Sequence, residues 1–250
     1  MIFEIDNLQK LEKIKPFFND IRFYMGNSVL DGVMGKAFVD NVENTNIAFL
    51  IVRKYCFISG NISDNKLKDI IDKNFKDYIL VPSDNIADKL ENIYFDNIQK
   101  SQRYSMKKDV TFDIDKLYEM SNSLKKDFKL VKINETIAED IKKLKFLNIT
   151  DDYKKYGIGV CCIYNDDIIG VASSNIFYKE GIEVNIKVKE EYRRQGIAAA
   201  MASQLIIECL KQNKKISWDA ANLNSVGLAE KLGFEFDSAY NIYRFIDNTK

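Results

Sequence analysis

The sequence contains no histidine in its 250 residues. Imidazole is the usual general base near neutral pH and the commonest metal ligand in proteins. Its absence excludes Ser-His-Asp and Cys-His catalysis, and it argues against a histidine-ligated metal. We therefore expect a site without metal, in which a carboxylate does any general-base work.

Cysteine is scarce, and its spacing does not suit a metal site. Cys56, Cys161, Cys162 and Cys209 form no C-x-x-C pattern. Reduced and buried thiols are typical of a cytoplasmic protein, so we predict that location. An acyl-enzyme route through Cys161 or Cys162 would need a lowered thiol pKa and a base, and the sequence shows neither.

An excess of charge of either sign is also lacking, because 37 basic residues balance 37 acidic ones. No net field favours nucleic acid or an anionic bilayer. Apolar runs such as Ala48 to Val52 are far too short to span a membrane, and the beginning M-I-F-E-I-D lacks the features of a signal peptide. We expect neither nucleic acid nor membrane as a partner.

What is present is enough apolar sequence for two domains, since 46% of the residues are hydrophobic. The first half reads as a small α/β module, residues 1–125, that ends in the polar segment S-N-S-L-K-K-D. The apolar spacing predicts helices at Leu8 to Phe18, Lys66 to Phe75 and Ile86 to Ile98, and strands at Gly35 to Asp40, Ile47 to Val52, Tyr55 to Ser59, Tyr78 to Val81 and Arg103 to Met106.

The second half, residues 126–250, alternates strands and helices in an order that the first half weakly echoes, which suggests a degenerate duplication. Three consecutive strands, Ile158 to Tyr164, Ile168 to Phe177 and Ile182 to Lys189, should form an antiparallel ribbon. The predicted strands are Lys129 to Ile133, Ile158 to Tyr164, Ile168 to Phe177, Ile182 to Lys189, Ile216 to Ala220 and Ala239 to Ile246. The first predicted helix is capped by Asn134 or Thr136 and reaches Leu147, and a short helix follows at Asp152 to Lys155. A four-turn helix begins at Ile197. The last predicted helix, Ser225 to Leu232, begins at Asn224 or Ser225 and ends at Gly233.

The turn R-R-Q-G-I-A, Arg193 to Ala198, joins a predicted strand to a predicted helix. The first backbone amides of a helix lack partners within the helix, and the helix dipole favours an anion there. Gly196 permits close approach of a phosphate, and Arg193 and Arg194 can add charge-assisted contacts. Short patterns of glycine and arginine also arise by chance, so the turn alone is a weak signal.

The wider sequence resembles the GNAT superfamily of acyl-CoA-dependent N-acyltransferases over about residues 128 to 246. The segments that carry the resemblance are I-E-V-N-I-K-V, Y-R-R-Q-G-I-A, I-I-E-C-L, W-D-A-A-N and L-A-E-K-L-G-F. Within that superfamily the sequence is most similar to a branch that resembles the zwittermicin-resistance acetyltransferase, and G-K-A-F-V-D-N and F-I-S-G-N extend this likeness into the first half.

The resemblance implies a GNAT-like α/β (α+β) fold with a mixed, mostly antiparallel sheet flanked by helices. It also implies acetyl-CoA as co-substrate, with its pantetheine beside Ile186 to Val188 and its acyl carbonyl near the Val188 amide. The pyrophosphate would bind the amides of Arg194, Gln195, Gly196, Ile197 and Ala198, and Asn222 matches the asparagine that contacts the cofactor. Asn222 could equally be an ordinary helix cap.

Glu183 matches a glutamate of the closer branch and is our candidate general base. Burial beside apolar neighbours would raise the pKa of this carboxyl toward neutrality. The alternative is an exposed strand residue paired across the sheet. Trp218 and Asp219 match the branch motif, but Trp218 suits the core and Asp219 suits backbone contacts.

One departure concerns the general acid. Many members of the superfamily carry a tyrosine at the position of Ala229, where it protonates the leaving thiolate. Tyr240 and Tyr243 on the last predicted strand are weak substitutes, since either residue also suits packing.

The sequence thus predicts an N-acetyltransferase that transfers acetyl from acetyl-CoA to a primary amine of a small molecule by direct attack in a ternary complex. We expect a monomer or a homodimer. The alternative is a catalytically inactive module that senses acyl-CoA or serves interactions.

Overall fold

The computed structural model describes residues 1–144 and 153–246. Two compact units divide the chain: Met1–Ser105 together with the chain from Ser238 onward, and Met106–Asp237. This division differs from the predicted boundary between residues 125 and 126. The helix Ile114–Ser121 packs on the helix Ile197–Lys211 of the second unit, and the last strand pairs within the sheet of the first.

The strands are β1 (Phe3–Ile5), β2 (Lys36–Val39), β3 (Ile47–Val52), β4 (Tyr55–Gly60), β5 (Ile79–Pro82), β6 (Ile98–Met106), β7 (Lys129–Lys132), β8 (Gly159–Tyr164), β9 (Asp167–Tyr178), β10 (Gly181–Val188), β11 (Lys215–Ser217), β12 (Asp219–Ala220) and β13 (Phe236–Phe245). The helices are α1 (Leu8–Ile14), α2 (Asn27–Leu30), α3 (Asp64–Asn74), α4 (Asp84–Tyr94), α5 (Ile114–Ser121), α6 (Glu135–Lys143), α7 (Tyr153–Tyr156), α8 (Ile197–Lys211) and α9 (Leu223–Leu232). Four 3₁₀ segments lie at Lys15–Phe18, Ile21–Gly26, Phe95–Asn97 and Glu190–Tyr192. Within this part of the chain, no helix is both long enough and apolar enough to cross a bilayer.

In the first unit the strand order is β1-β2-β3-β4-β5-β13-β6. β2, β3 and β4 pair antiparallel as a meander, and β5 then pairs parallel to β4 after the crossover through α3. All six residues of β3, I-A-F-L-I-V, are buried. A strand buried on both faces reads as a continuous apolar run, and β3 is such a run.

In the second unit the strand order is β11-β10-β9-β8-β7. Antiparallel pairing of β8, β9 and β10 confirms the predicted three-stranded ribbon, and β7 adds a further antiparallel strand beside β8. β11 pairs parallel to β10 after the crossover through α8. The 15 residues of α8 bury the stripe Ile197, Met201 and Leu205. The predicted mixed, mostly antiparallel fold with flanking helices is confirmed.

The two units share a succession of elements. Three antiparallel strands, a crossover helix, a parallel strand and another helix occur as β2-β3-β4-α3-β5-α4 and again as β8-β9-β10-α8-β11-α9. They differ at the parallel pair. β4 pairs with β5 from Tyr55 to Ile58, whereas β10 pairs with β11 only from Gly181 to Glu183 and continues to Val188.

Several predicted boundaries were wrong for local reasons. α9 begins at Leu223, not at Asn224 or Ser225, because the Asn222 side chain caps it by accepting from the Ser225 amide at 3.0 Å. α4 ends before Phe95, whose φ of 39° interrupts the helix, so Ile98 begins β6 and does not end a helix. Trp218 divides the strand predicted at Ile216 to Ala220.

Other boundaries agree with the prediction. Asn134 caps α6 by accepting from the Ile137 amide at 2.9 Å, and Gly233 ends α9 with a φ of 104°. Leu147 and Asp152, placed in helices by the sequence, lie outside the described residues.

Candidate active site

Two residues with positive φ turn the chain from β10 into α8. Arg194 has a φ of 63°, and Gly196, which precedes the first residue of α8, has a φ of 80°. Any L-residue in place of Gly196 would strain the backbone at this φ. Apart from Gly196 and its two neighbours in the chain, no heavy atom of the described residues lies within 4 Å of the point that a Cβ on Gly196 would occupy, so the space beside the turn is open.

The backbone amides of this turn are available as donors. Within the described chain, the amides from Arg194 to Ala199 donate to no protein acceptor, while the Ala200 amide donates to the Gly196 carbonyl at 3.0 Å. Arg193, Arg194 and Gln195 are exposed. A run of unpaired amides at the start of a 15-residue helix is an anion-binding arrangement.

The second half of β10 has one open edge. The Lys189 amide donates to the Ile169 carbonyl of β9 at 2.8 Å. Because alternate residues of an antiparallel strand face the partner, the backbone groups of Val184, Ile186 and Val188 face away from β9. The pairing with β11 on that side ends at Glu183, and no other strand of the described chain pairs with β10 there.

Glu183 lies where β10 and β11 separate, and it is buried, with 5% of its surface exposed. One carboxylate oxygen, Oε1, accepts from the Asp219 amide at 2.7 Å. The other oxygen, Oε2, accepts a hydrogen bond from the hydroxyl of Ser217. The expectation of burial is therefore confirmed, and the alternative of an exposed strand acid is wrong.

Asn222 and Trp218 stabilise the start of α9. Asn222 is exposed, and its Oδ1 caps the helix as described above. The Trp218 indole donates to Ser225 Oγ at 3.0 Å, and its ring lies 5.4 Å from that of Phe234. Trp218 is 7% exposed, which confirms the predicted core role, and the capping role of Asn222 leaves its predicted cofactor contact untested.

A family model described as GNAT acetyltransferase matches residues 15–243. The chain belongs to the GNAT acetyltransferase family. The match includes most of both compact units, so the family model extends over the first unit as well as the second. The likeness to the zwittermicin-resistance branch stays a prediction.

Known relatives agree with this assignment. The chain is 29% identical over 101 residues to a protein named "Uncharacterized N-acetyltransferase YdfB" of Bacillus subtilis (strain 168), an alignment that spans 40% of this chain and 39% of that one. It is similar to the structure of a GCN5-related N-acetyltransferase-like protein from Streptococcus suis 89/1591, with 29% identity, a TM-score of 0.85, and 95% and 99% of the two chains covered. A tandem GNAT protein from the clavulanic acid biosynthesis pathway shares the fold at 8% identity, with a TM-score of 0.57 over 100% of both chains.

The two candidate general acids of this GNAT acetyltransferase lie in β13. Tyr243 is fully buried in the core of the first unit, pairs with Leu80, and donates its hydroxyl hydrogen to Glu91. Burial and the hydrogen bond to Glu91 raise the pKa of Tyr243 well above its usual range. These contacts favour a packing role. Tyr240 is buried as well.

The position of the missing general acid is closed by packing. Ala229 in α9 is fully buried, so the site has no hydroxyl at this point of the helix. The cysteines offer no replacement nucleophile: all four are free and buried, and burial raises the pKa of Cys161 and of Cys162 to about 11. Cys161 and Cys162 lie in β8 of the ribbon, and the expected burial of the thiols is confirmed.

A separate cleft of about 560 Å³ lies in the second unit beside α5, β7 and α8. Its walls include Lys132, Gln204 and the buried Glu208, whose carboxylate pairs with Lys132 at 2.7 Å. No predicted site residue of the acetyltransferase lines it.

Proposed function

We propose that the chain transfers acetyl from acetyl-CoA to a primary amine of a small molecule, by direct attack in a ternary complex. One observation carries the proposal. The open edge of β10 begins at the buried Glu183 carboxylate and ends at Val188, and after the 3₁₀ segment Glu190–Tyr192 the chain reaches the unpaired amides of Arg194 to Ala198.

The residues of this region suit coenzyme A. The amides of Arg194, Gln195, Gly196, Ile197 and Ala198 would hold the pyrophosphate, and the open space beside Gly196 would admit it. Arg193 and Arg194 add positive charge at the same place. The outward backbone groups at Ile186 and Val188 can hydrogen-bond an extended pantetheine arm as a strand edge binds a peptide. Asn222, which caps α9, would add a further polar contact to the cofactor.

The chemistry requires charge to develop on the acetyl carbonyl oxygen. We place that oxygen at the Val188 amide, which faces the open edge. A preorganised donor at this point stabilises negative charge and is often the largest single contribution in acyl transfer.

Glu183 is the proposed general base, acting directly or through one water. An ammonium group must lose a proton before its nitrogen can attack, and a carboxylate is the group available in a chain without histidine.

The proton balance of the reaction closes without a tyrosine at residue 229. Of the two protons that the nitrogen loses, Glu183 takes the first and passes it to solvent, and the sulfur of coenzyme A takes the second, with solvent assistance.

For the first unit we propose a degenerate copy of the same fold that binds no coenzyme A. Its β4–β5 pair lacks the long open edge of β10. The start of α3 carries Asp64, an unfavourable charge for a phosphate, and Lys89 of α4 both pairs with Asp64 at 3.4 Å and donates to the Ile62 carbonyl. Its role is structural.

A second candidate is an inactive module that binds acyl-CoA without turnover. The observation that favours it is the buried Ala229 in place of the usual tyrosine. The four free cysteines suit a cytoplasmic location for either function.

The test is turnover against a panel of amines. Purified protein, acetyl-CoA and each amine are incubated together, and free thiol is followed with time. We expect thiol release that depends on both amine and protein, with a matching N-acetyl product in mass spectra. Tight binding of acetyl-CoA with no thiol release from any amine, unchanged in Glu183→Gln, would favour the inactive module.

A further inference from the structure

The hydroxyl of Ser217 has two acceptors but only one hydrogen. Ser217 Oγ lies 3.1 Å from the Ile182 carbonyl oxygen and also forms the hydrogen bond with Glu183 Oε2. Ser217 is 8% exposed, on the short strand β11 that pairs with β10 up to Glu183. A hydroxyl donates one hydrogen bond and accepts through its lone pairs, so the two acceptors cannot be served at once.

The two acceptors correspond to two protonation states of Glu183. When the carboxyl is ionised, Oε2 is the stronger acceptor, and the Ser217 hydrogen lies toward it. When Oε2 carries a proton, that proton is donated to Ser217 Oγ, and the Ser217 hydrogen rotates to the Ile182 carbonyl. Both states are then fully hydrogen-bonded, and no heavy atom has to move.

The other oxygen of Glu183 is fixed by the backbone. Oε1 accepts from the Asp219 amide at 2.7 Å, which holds the carboxyl plane while Oε2 exchanges its proton. A buried polar group without a partner is costly, so a base that changes its protonation state inside the protein needs support in both states. Ser217 supplies that support by rotation of one bond.

We propose that Ser217 is a positioning residue for the general base, and that rotation of its hydroxyl between Ile182 O and Glu183 Oε2 lets Glu183 accept the proton of the amine. The inference rests on the proposed acetyl transfer. The proton leaves the ammonium nitrogen, resides on Glu183 Oε2 during attack, and passes to solvent after the product forms. No other bond is made or broken by Ser217.

Kinetics separate positioning from a structural role. In Ser217→Ala we expect kcat to fall about tenfold, the loss of one hydrogen bond to a charged group, while the KM and the calorimetric Kd for acetyl-CoA stay within about twofold. Ser217→Thr keeps the hydroxyl and suits a strand, so it should restore most of kcat. Ser105→Ala is the matched control, because Ser105 is also a buried strand serine, with its Oγ near both Ser238 O and Ser238 Oγ. It should leave kcat unchanged.

Full kcat in Ser217→Ala would overturn the inference, as would a Thr variant no better than Ala when both fold and bind acetyl-CoA. Infrared difference spectra give a readout that needs no turnover. The Glu183 carboxylate band, assigned by its loss in Glu183→Gln, should shift in Ser217→Ala and return in Ser217→Thr. If the wild type acetylates no amine, the proposed function fails, and the carboxylate band alone tests the contact between Ser217 and Glu183. A shift of the band in Ser217→Ala would show that Ser217 hydrogen-bonds the carboxylate, and an unchanged band would contradict it.

Discussion

The Asp219 amide nitrogen and Glu183 Oε1 lie 2.7 Å apart, across the point where β10 and β11 separate. This contact fixes a buried carboxylate at the beginning of an open strand edge. The edge leads to the helix start that would bind the pyrophosphate of coenzyme A. The position of Glu183 therefore joins the proposed base to the proposed binding site within one unit of the fold.

The first prediction concerns this carboxylate. Glu183→Gln keeps the shape of the side chain but cannot accept the amine proton, so kcat should fall by about a hundredfold or more. The Kd for acetyl-CoA should stay within about twofold, since the amides of Arg194 to Ala198 are untouched. Steady-state kinetics and calorimetry measure the two effects.

The matched control is Glu180→Gln. Glu180 is an exposed carboxylate three positions earlier in the chain, paired with Lys215 at 3.1 Å. Its removal should leave kcat unchanged. If Glu183→Gln retains full activity at every pH tested, Glu183 is not the base.

The second prediction separates cofactor binding from backbone strain. Gly196→Ala forces a side chain into a φ of 80° and places a methyl group in the open space beside the turn. We expect stability to fall by about 1–2 kcal/mol and acetyl-CoA binding to weaken by about tenfold. Thermal unfolding and calorimetry measure these changes.

Gly233→Ala is the control for strain alone. Gly233 has a φ of 104° at the end of α9, where a methyl group would meet Phe112 at an ordinary 3.5 Å. It should lower stability by a similar amount and leave acetyl-CoA affinity unchanged. Equal loss of affinity in both variants would mean that Gly196 has no specific role in binding.

The third prediction excludes a covalent route. Because burial raises the pKa of Cys161 and Cys162 to about 11, only about one thiol in a thousand is ionised at pH 8. Incubation with acetyl-CoA alone should give no acetylated protein in intact-mass spectra, and Cys161→Ala with Cys162→Ala should keep kcat within about twofold. A stable acetyl adduct on either cysteine would contradict direct transfer.

The fourth prediction concerns stability in acid. Burial of Asp40 opposes its ionisation, but hydrogen bonds from Lys66, Asn46 and the Ile47 amide outweigh it and lower the pKa of Asp40 to about 2. A carboxyl whose pKa is lower in the folded protein stabilises it above the unfolded value of about 3.9. The contribution, about 2 kcal/mol, should be lost as the pH falls from about 4 to about 2.

Denaturant unfolding of Asp40→Asn at several pH values checks this. The variant should lose stability at pH 7 and show a weaker pH dependence between 4 and 2 than the wild type. Glu43→Gln changes an exposed carboxylate of the same loop and should retain the wild-type dependence. Parallel curves for wild type and Asp40→Asn would refute the assignment.

These sites show which features the sequence could predict. The turn at Gly196 was predictable because its requirements are local: a residue that accepts positive φ, followed by an apolar stripe at helical spacing. The ribbon strands and the helix α8 were predictable from periodicity for the same reason. α5 was missed because a helix of eight residues that buries only Leu117 and Ser121 has too short a pattern.

The partners of Glu183 could not be predicted. Ser217 reaches it only through the parallel register of β10 and β11, which are separated by the whole of α8. Tyr243 likewise lies in the first unit because the final strand returns to pair with β5, a contact between distant parts of the chain. Register of that kind depends on the assembled sheet and on the packing of its faces.

The most direct test of the account is titration of the wild-type chain with acetyl-CoA in a calorimeter. We predict saturable binding of one acetyl-CoA per chain, weakened by Gly196→Ala and unaffected by Glu183→Gln. Two molecules bound per chain would contradict the proposal that the first unit binds no coenzyme A. No binding at all would contradict the central claim that the β10 edge and the amides of Arg194 to Ala198 form an acetyl-CoA site.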